Sequence, residues 1–393
     1  MKKIIFTNAH IVDPTQKINK LGSLTVENEK IVNLSFNNIS IKQSKNNEII
    51  DCKKLILAPG FVDLKCHLRV PGDEHKENLS YASEAAASSG ITSLVCMPNT
   101  NPIIDNVSIV ELLQRKARKE SHVKIFSTAS ITKQLQGREL SEFGLLKEAG
   151  AVAFTDAINA VNKSSVMYKA LKYASAFDIL LMQHPEDKEL SAGGSMTAGK
   201  LATELGIKGI PLQAEVIQVE RDLRLAEMTN GRIHFLNIST GLAIDAIRNA
   251  QKKGVKVTCS TSPHYFSLDE ADIKKWRTFS KLSPPLRDKK NLNFIKEGIV
   301  NNIITCITSD HSPHDTDSKR LPFEIASPGS IGFESLLPLT LNLVKEKKLG
   351  LLNLVELIST NPAKLLSLNT GSLKKGKPAD IVLFDPNKKI KLS

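Results

Sequence analysis

The stretch FVDLKCHLRVPG, beginning at Phe61, carries Lys65, His67 and Arg69 at alternate positions after an apolar run. Side chains alternate faces along a strand, so Lys65 and His67 point the same way. Two imidazoles at that spacing make half a metal site. Here a lysine stands in the first place. Further polar residues close other apolar runs: Asn99, Asp156, His184, Asn237, and Asp310, His311 and His314. Imidazole and carboxylate are zinc ligands, and a carboxylate also accepts protons. A guanidinium such as that of Arg69 grips a carboxylate with two parallel hydrogen bonds.

These residues need a scaffold that gathers strand ends. Eight β-branched, apolar runs follow one another: PGFVDLKCH, ITSLVCMP, HVKIFSTAS, AVAFTD, DILLMQHP, RIHFLNIST, VKVTCSTSPH and IITCITSDHSPH. Helix-period segments such as NLSYASEAAASSG and SSVMYKALKYAS separate most of them. Strands alternating with helices predict a parallel sheet, and eight repeats predict a (β/α)8 TIM barrel spanning residues 56–361. The active site of such a barrel lies at the C-terminal ends of its strands, where the polar residues fall. Residues 1–55 read as short strands, as does GSLKKGKPADIVLFD. Together, 1–55 and 362–393 predict a small β-sandwich domain built from both termini. His10, His75, His122, His234 and His264 read as surface or packing residues.

The 393 residues are 41% hydrophobic, enough for a large core. Five cysteines without a CxxC pair read as reduced thiols, and no apolar run reaches spanning length. A cytoplasmic protein is expected. The net charge of +12 is spread along the chain, and aromatics make up 5%. That pattern reads as a solvated basic surface, compatible with small anionic substrates, rather than a nucleic-acid or membrane site.

The motifs resemble the dihydroorotases of the longer bacterial type, within the amidohydrolase superfamily. PGFVDLKCHLRVPG, MPNTNP, AFTD, MQHPED, KLSPPLR, SDHSPH and GSLKKGKPADIVLFDP follow in that family's order along nearly the whole chain. The resemblance implies a barrel holding one or two zinc ions and interconverting carbamoyl aspartate and dihydroorotate. It implies that Lys65, His67, Asp156 and Asp310 stand at the first metal's ligand positions, and Asp156, His184 and Asn237 at the second's. It implies a catalytic, proton-shuttling role for Asp310, and substrate contacts from Arg69, Asn99 and His314.

The departures fall on the metal. Lys65 and Asn237 replace ligand histidines, Ser283 replaces an asparagine near the substrate, and FTDAIN departs from the family's FTDDG. An amine binds metal only when neutral, and holding a lysine neutral at pH 7 costs about 4.6 kcal/mol. A charged Lys65 would instead pair with Asp156 and Asp310. The expected cofactor is therefore none, or weakly bound zinc. The main reading is an oligomeric, non-catalytic dihydroorotase-like subunit that supports aspartate carbamoyltransferase and retains a pocket for dihydroorotate or carbamoyl aspartate. The alternative is an active zinc dihydroorotase, in which His67, Asp156, His184 and Asp310 gather around one shifted ion. A Schiff-base role for Lys65 runs against its carboxylate neighbours, which would raise its pKa.

Overall fold

The computed structural model describes residues 3–37, 47–275, 277–389 and 391. Strands β1 (Lys3–Asp13), β2 (Ile18–Glu27), β3 (Lys30–Ser35), β4 (Asn47–Asp51) and β5 (Ile56–Pro59) come first. β1 and β2 pair antiparallel, as do β2 and β3, while β4 and β5 pair parallel to β1. Asn28 and Glu29, between β2 and β3, both take positive φ. Such a two-residue turn matches the twist of a hairpin. The sheet buries Ala9, Ile11, Leu24, Ile31, Leu57 and Leu373 in a cluster of its own.

After Gly60 the apolar runs become parallel strands. β6 (Phe61–Cys66), β7 (Ile91–Cys96) and β8 (Lys124–Ser127) form one sheet. β9 (Leu180–Gln183) is followed by a short two-stranded ladder, β10 (Met196–Thr197) with β11 (Gly209–Ile210). β12 (Arg232–Phe235), β13 (Val257–Thr261) and β14 (Cys306–Ile307) then join β9 in a four-stranded parallel sheet. Along β9, Leu180 and Met182 enter one apolar cluster and Leu181 the other. Strands covered on both faces alternate in this way and read as continuous apolar runs.

Seven of the eight runs appear as strands. The fourth, AVAFTD, contributes only Phe154, which bridges in parallel to Ala129 on one side and to Leu181 on the other. A third parallel bridge, Cys66 to His311, runs from the end of β6 to the segment after β14. Helices fill the intervals, including Leu79–Ser88, Ser164–Ala176, Gln213–Thr229 and Gly241–Lys252. Asn78 caps the first of these, its side chain accepting from the Tyr81 N–H, as the NLSYASEAAASSG pattern predicts. β15 (Ile381–Phe384) returns to the first sheet and pairs antiparallel with β5. The small domain thus draws on both ends of the chain. Its described strands form one mixed six-stranded sheet, where the sequence reading expected a two-layered sandwich.

Among the described residues, no helix is long and apolar enough to cross a membrane. All five cysteines are free and buried.

Candidate functional site

The site assembles where β6 meets the segment after β14. The pairing of β6 with β7 slips between Asp63 and Cys66, so Lys65 projects from an irregularity in the strand. Asp63 accepts hydrogen bonds from the Ser309 N–H and hydroxyl. The His67 N–H donates to the His311 carbonyl at 2.9 Å. These bonds fix the turn that carries Asp310, whose φ is 55°. Arg69 and Asn237 also take left-handed backbone conformations, at 58° and 52°. Such strain costs of order 1–3 kcal/mol for an ordinary side chain and less for Asn or Asp, and it concentrates at functional sites.

Lys65 Nζ lies 2.5 Å from Asp310 Oδ1, and the two residues are 1% and 6% exposed. Burial works to raise the Asp310 carboxyl. The Lys65 ammonium and its hydrogen bond outweigh that, and Asp310 is held below the usual carboxylate range. The ion pair is therefore charged on both sides. Asp156 is not part of it. Its carboxylate accepts from the Thr132 N–H at 2.9 Å and from the Thr132 hydroxyl. Burial pushes Asp156 up to about 6.

Around the pair stand neutral imidazoles. His67 Nδ1 is 2.9 Å from Asn99 Oδ1, so that nitrogen carries the proton and donates. His184 Nε2 is 3.1 Å from Ser283 Oγ, and His184 Nδ1 has no partner among the described residues. Burial, and next the Lys65 charge, push both imidazoles down to about 3. Asn237 is fully buried beside Asp310, and neither of its amide atoms has a hydrogen-bond partner of ordinary geometry.

The mouth is more open, with Asn99 and His314 half-buried. Arg69 Nε donates to the Pro313 carbonyl and Nη2 to Ser312 Oγ, both at 2.9 Å. His314 Nε2 lies 2.9 Å from the Pro328 carbonyl and 3.3 Å from Arg69 Nη2. Donation to the carbonyl makes the guanidinium a neighbour of that ring rather than its donor. Burial and then Arg69 push His314 down to about 4. Arg69 is thus held by a carbonyl and a hydroxyl, with the Asp73 and Glu77 carboxylates near enough to favour its charge against burial.

One residue outside the sequence-derived set, His264, belongs here, and His311 from that set lies nearby. His264 ends the seventh run, is buried, and contacts Ser262 Oγ at 3.0 Å and Ser330 Oγ at 3.2 Å. It lies near Asp310, and burial holds its own imidazole below the usual range. His311 stacks on Phe333 at 3.7 Å and reaches both Glu77 oxygens at 3.0 Å. The position of His264 at a strand end was the signal for it. Of the other histidines read as surface or packing residues, His75 and His122 are exposed, and His234 is buried against Thr258 Oγ1.

Among the described residues, no three of His, Cys, Asp and Glu gather into a metal cage. Lys65 already neutralises Asp310, and Asp156 is turned onto Thr132. His184 Nδ1 and Asn237 Oδ1 remain unpartnered and His67 keeps the lone pair of Nε2, but two imidazoles and one neutral amide oxygen, without a free carboxylate, are a poor set for zinc. The residues present do not fit a zinc–hydroxide centre. A groove of about 1410 Å³ elsewhere, lined by Arg118, Phe126, Glu334 and Phe384 among others, touches none of these groups.

A family model described as dihydro-orotase-like matches residues 53–241. A protein named dihydroorotase from Acetivibrio thermocellus is 42% identical over 98% of this chain and 89% of its own length. One of the same name from Aquifex aeolicus is 40% identical over 99% of this chain and 90% of its own. Among solved structures, the L-hydantoinase (dihydropyrimidinase) of Arthrobacter aurescens superposes with a TM-score of 0.84. It is 24% identical and covers 97% of this chain and 86% of its own, a likeness of fold.

Proposed function

The chain belongs to the dihydroorotase family of the amidohydrolase superfamily, and from that premise we propose that it serves the step of pyrimidine biosynthesis that interconverts carbamoyl aspartate and dihydroorotate. The observation that carries this reading is the 42% identity, sustained over 98% of the chain, with a relative named for that reaction. The parallel bridges at Phe154 and His311 support a closed (β/α)8 barrel, with the pocket at the C-terminal ends of its strands. In this reading Arg69 grips the ligand's carboxylate, with Asn99 and His314 beside it. Asp310, charged and buried against Lys65, is the proton acceptor. Opening the ring adds water across an amide C–N bond. With no fit for zinc, activation of that water falls to Asp310 alone. A carboxylate held below its usual range is a weak base, so the expected turnover is slow.

One observation favours a second reading. The Lys65–Asp310 ion pair stands where the family resemblance sets the first metal. On that ground the protein would bind the same ligands without turning them over, and would support aspartate carbamoyltransferase as a non-catalytic, cytoplasmic partner. A stable assembly of that kind should bury more than about 1,000 Å².

One set of measurements tests both. Dihydroorotate hydrolysis and carbamoyl aspartate cyclisation are followed on purified chain, alone and co-expressed with the transferase, with size-exclusion chromatography alongside. Slow turnover that disappears in Asp310→Asn supports the first reading. Turnover at background, together with co-elution and a changed transferase rate, supports the second. Failure to bind either ligand, with separate elution, would remove both.

A further inference from the structure

Asn237, two residues beyond β12, is a fully buried primary amide beside the Asp310 carboxylate, and neither of its polar atoms has a hydrogen bond of ordinary geometry among the described residues. A buried polar group left unsatisfied costs about 1–3 kcal/mol, and Asn237 carries a donor and an acceptor in that state. The amide does not sit on a loose segment. The Leu236 N–H donates to the Gln183 carbonyl at 2.9 Å, and the Ile238 N–H to the Ser260 carbonyl at 2.8 Å. Just beyond, Glu215 accepts from the Ser239 and Thr240 backbone N–H groups and from both hydroxyls. The surroundings hold the orphaned amide in place on both sides.

His184 Nδ1 on the neighbouring strand is also buried and unpartnered. Next to them the Lys65–Asp310 pair is internally neutral, so this floor does not call for a cation. It presents an N–H donor, a carbonyl acceptor and a ring nitrogen. Those groups complement an amide edge, which offers one C=O acceptor and one N–H donor.

We propose that Asn237 is a ligand-binding residue whose amide pairs with the amide or ureido edge of the bound molecule. The inference rests on the reading above for the identity of the ligand. Arg69 takes the carboxylate, and Asn237 reads the nitrogen-bearing end by hydrogen bonds rather than through a metal.

The test is isothermal titration calorimetry on the full chain in buffer containing EDTA. The probes are dihydroorotate, carbamoyl aspartate and succinate, the last lacking the ureido group. Asn237→Asp keeps the size and tolerates the left-handed backbone, while Asn237→Ala removes both polar atoms. Each variant is first shown to keep the circular dichroism of the parent. Dihydroorotate and carbamoyl aspartate should each bind about 10-fold or more weakly to both variants, with succinate unchanged. Affinities unaltered by either substitution would overturn the assignment, leaving an amide served by water. Absence of binding to the unmodified chain would instead overturn the underlying reading and this inference with it.

Discussion

Replacing Lys65 with methionine keeps the stem of the side chain and deletes the charge. Asp310 is then a carboxylate at 6% exposure with its ammonium, formerly 2.5 Å away, removed. Breaking one partner of a buried pair typically costs about 3–5 kcal/mol. The chain has one escape, which is to protonate Asp310. Neutralising an ordinary aspartate at pH 7 costs roughly 3 pKa units, or about 4 kcal/mol, and sets the ceiling. In the parent, Asp310 is held below its usual range, so its contribution to stability is present above the unfolded value and lost as pH falls through the folded one. In Lys65→Met the direction reverses, because the folded state now prefers the proton. The deficit of the variant should therefore shrink by up to about 1.4 kcal/mol per pH unit from pH 7 to pH 5. Urea unfolding followed by far-ultraviolet circular dichroism at pH 5, 6 and 7 reads this directly from the midpoints, provided the slopes agree. The double variant Lys65→Met/Asp310→Asn should be more stable at pH 7 than Lys65→Met alone, because no charge is left stranded. A cost for Lys65→Met below about 1 kcal/mol, flat with pH, would refute the argument that the pair is charged and buried.

Purified protein should carry well under one zinc per chain by elemental analysis, and its melting temperature should not respond to EDTA; full occupancy surviving dialysis against a chelator would count against the misfit described above. Lys65→His/Asn237→His restores two imidazoles, and with added zinc it should hydrolyse dihydroorotate at least about 10-fold faster than the parent in a spectrophotometric assay. Stability should fall as pH drops from about 6.5 toward 3, because buried neutral His67, His184 and His234 are held near 3 while their unfolded forms take up protons. The buried carboxyls of Asp63, Asp156 and Asp222, raised to about 6, work in the opposite sense, so histidine-to-glutamine variants should flatten the acid limb of a melting-temperature profile. Thr132→Val strips the hydroxyl from Asp156 and should destabilise by about 1–3 kcal/mol in urea titrations.

The parallel strands were legible because their apolar runs are continuous, as strands covered on both faces must be. AVAFTD was harder: its ladder reduces to Phe154, and its acidic end is tied to Thr132. That tie explains the main surprise at the site. The family resemblance implied that Asp156 would share Lys65 with Asp310, but no local pattern shows that Thr132, 24 residues earlier, takes both carboxylate oxygens. His264 was set aside as packing although it ends a strand like the other site residues. Burial alone does not distinguish a packed imidazole from one facing a carboxylate. Between LILA and FVDL the chain passes, at Gly60, from β5 in the small sheet to β6 beside the pocket. A cross-domain break of that kind depends on partners far along the chain.

The return of β15 to β5 has a consequence for how the molecule is made. Ile381 aligns with Pro59, so the edge of β5 stays uncovered until the far end of the chain leaves the ribosome. At about 5–20 residues per second, the intervening segment takes roughly 15–65 s to synthesise. Throughout that interval the nascent N-terminal sheet offers open backbone donors and acceptors, a template for pairing with other nascent chains on the same polysome. Ribosome-bound holding factors that cover this edge should matter more to the yield of native protein than any factor acting on the finished chain.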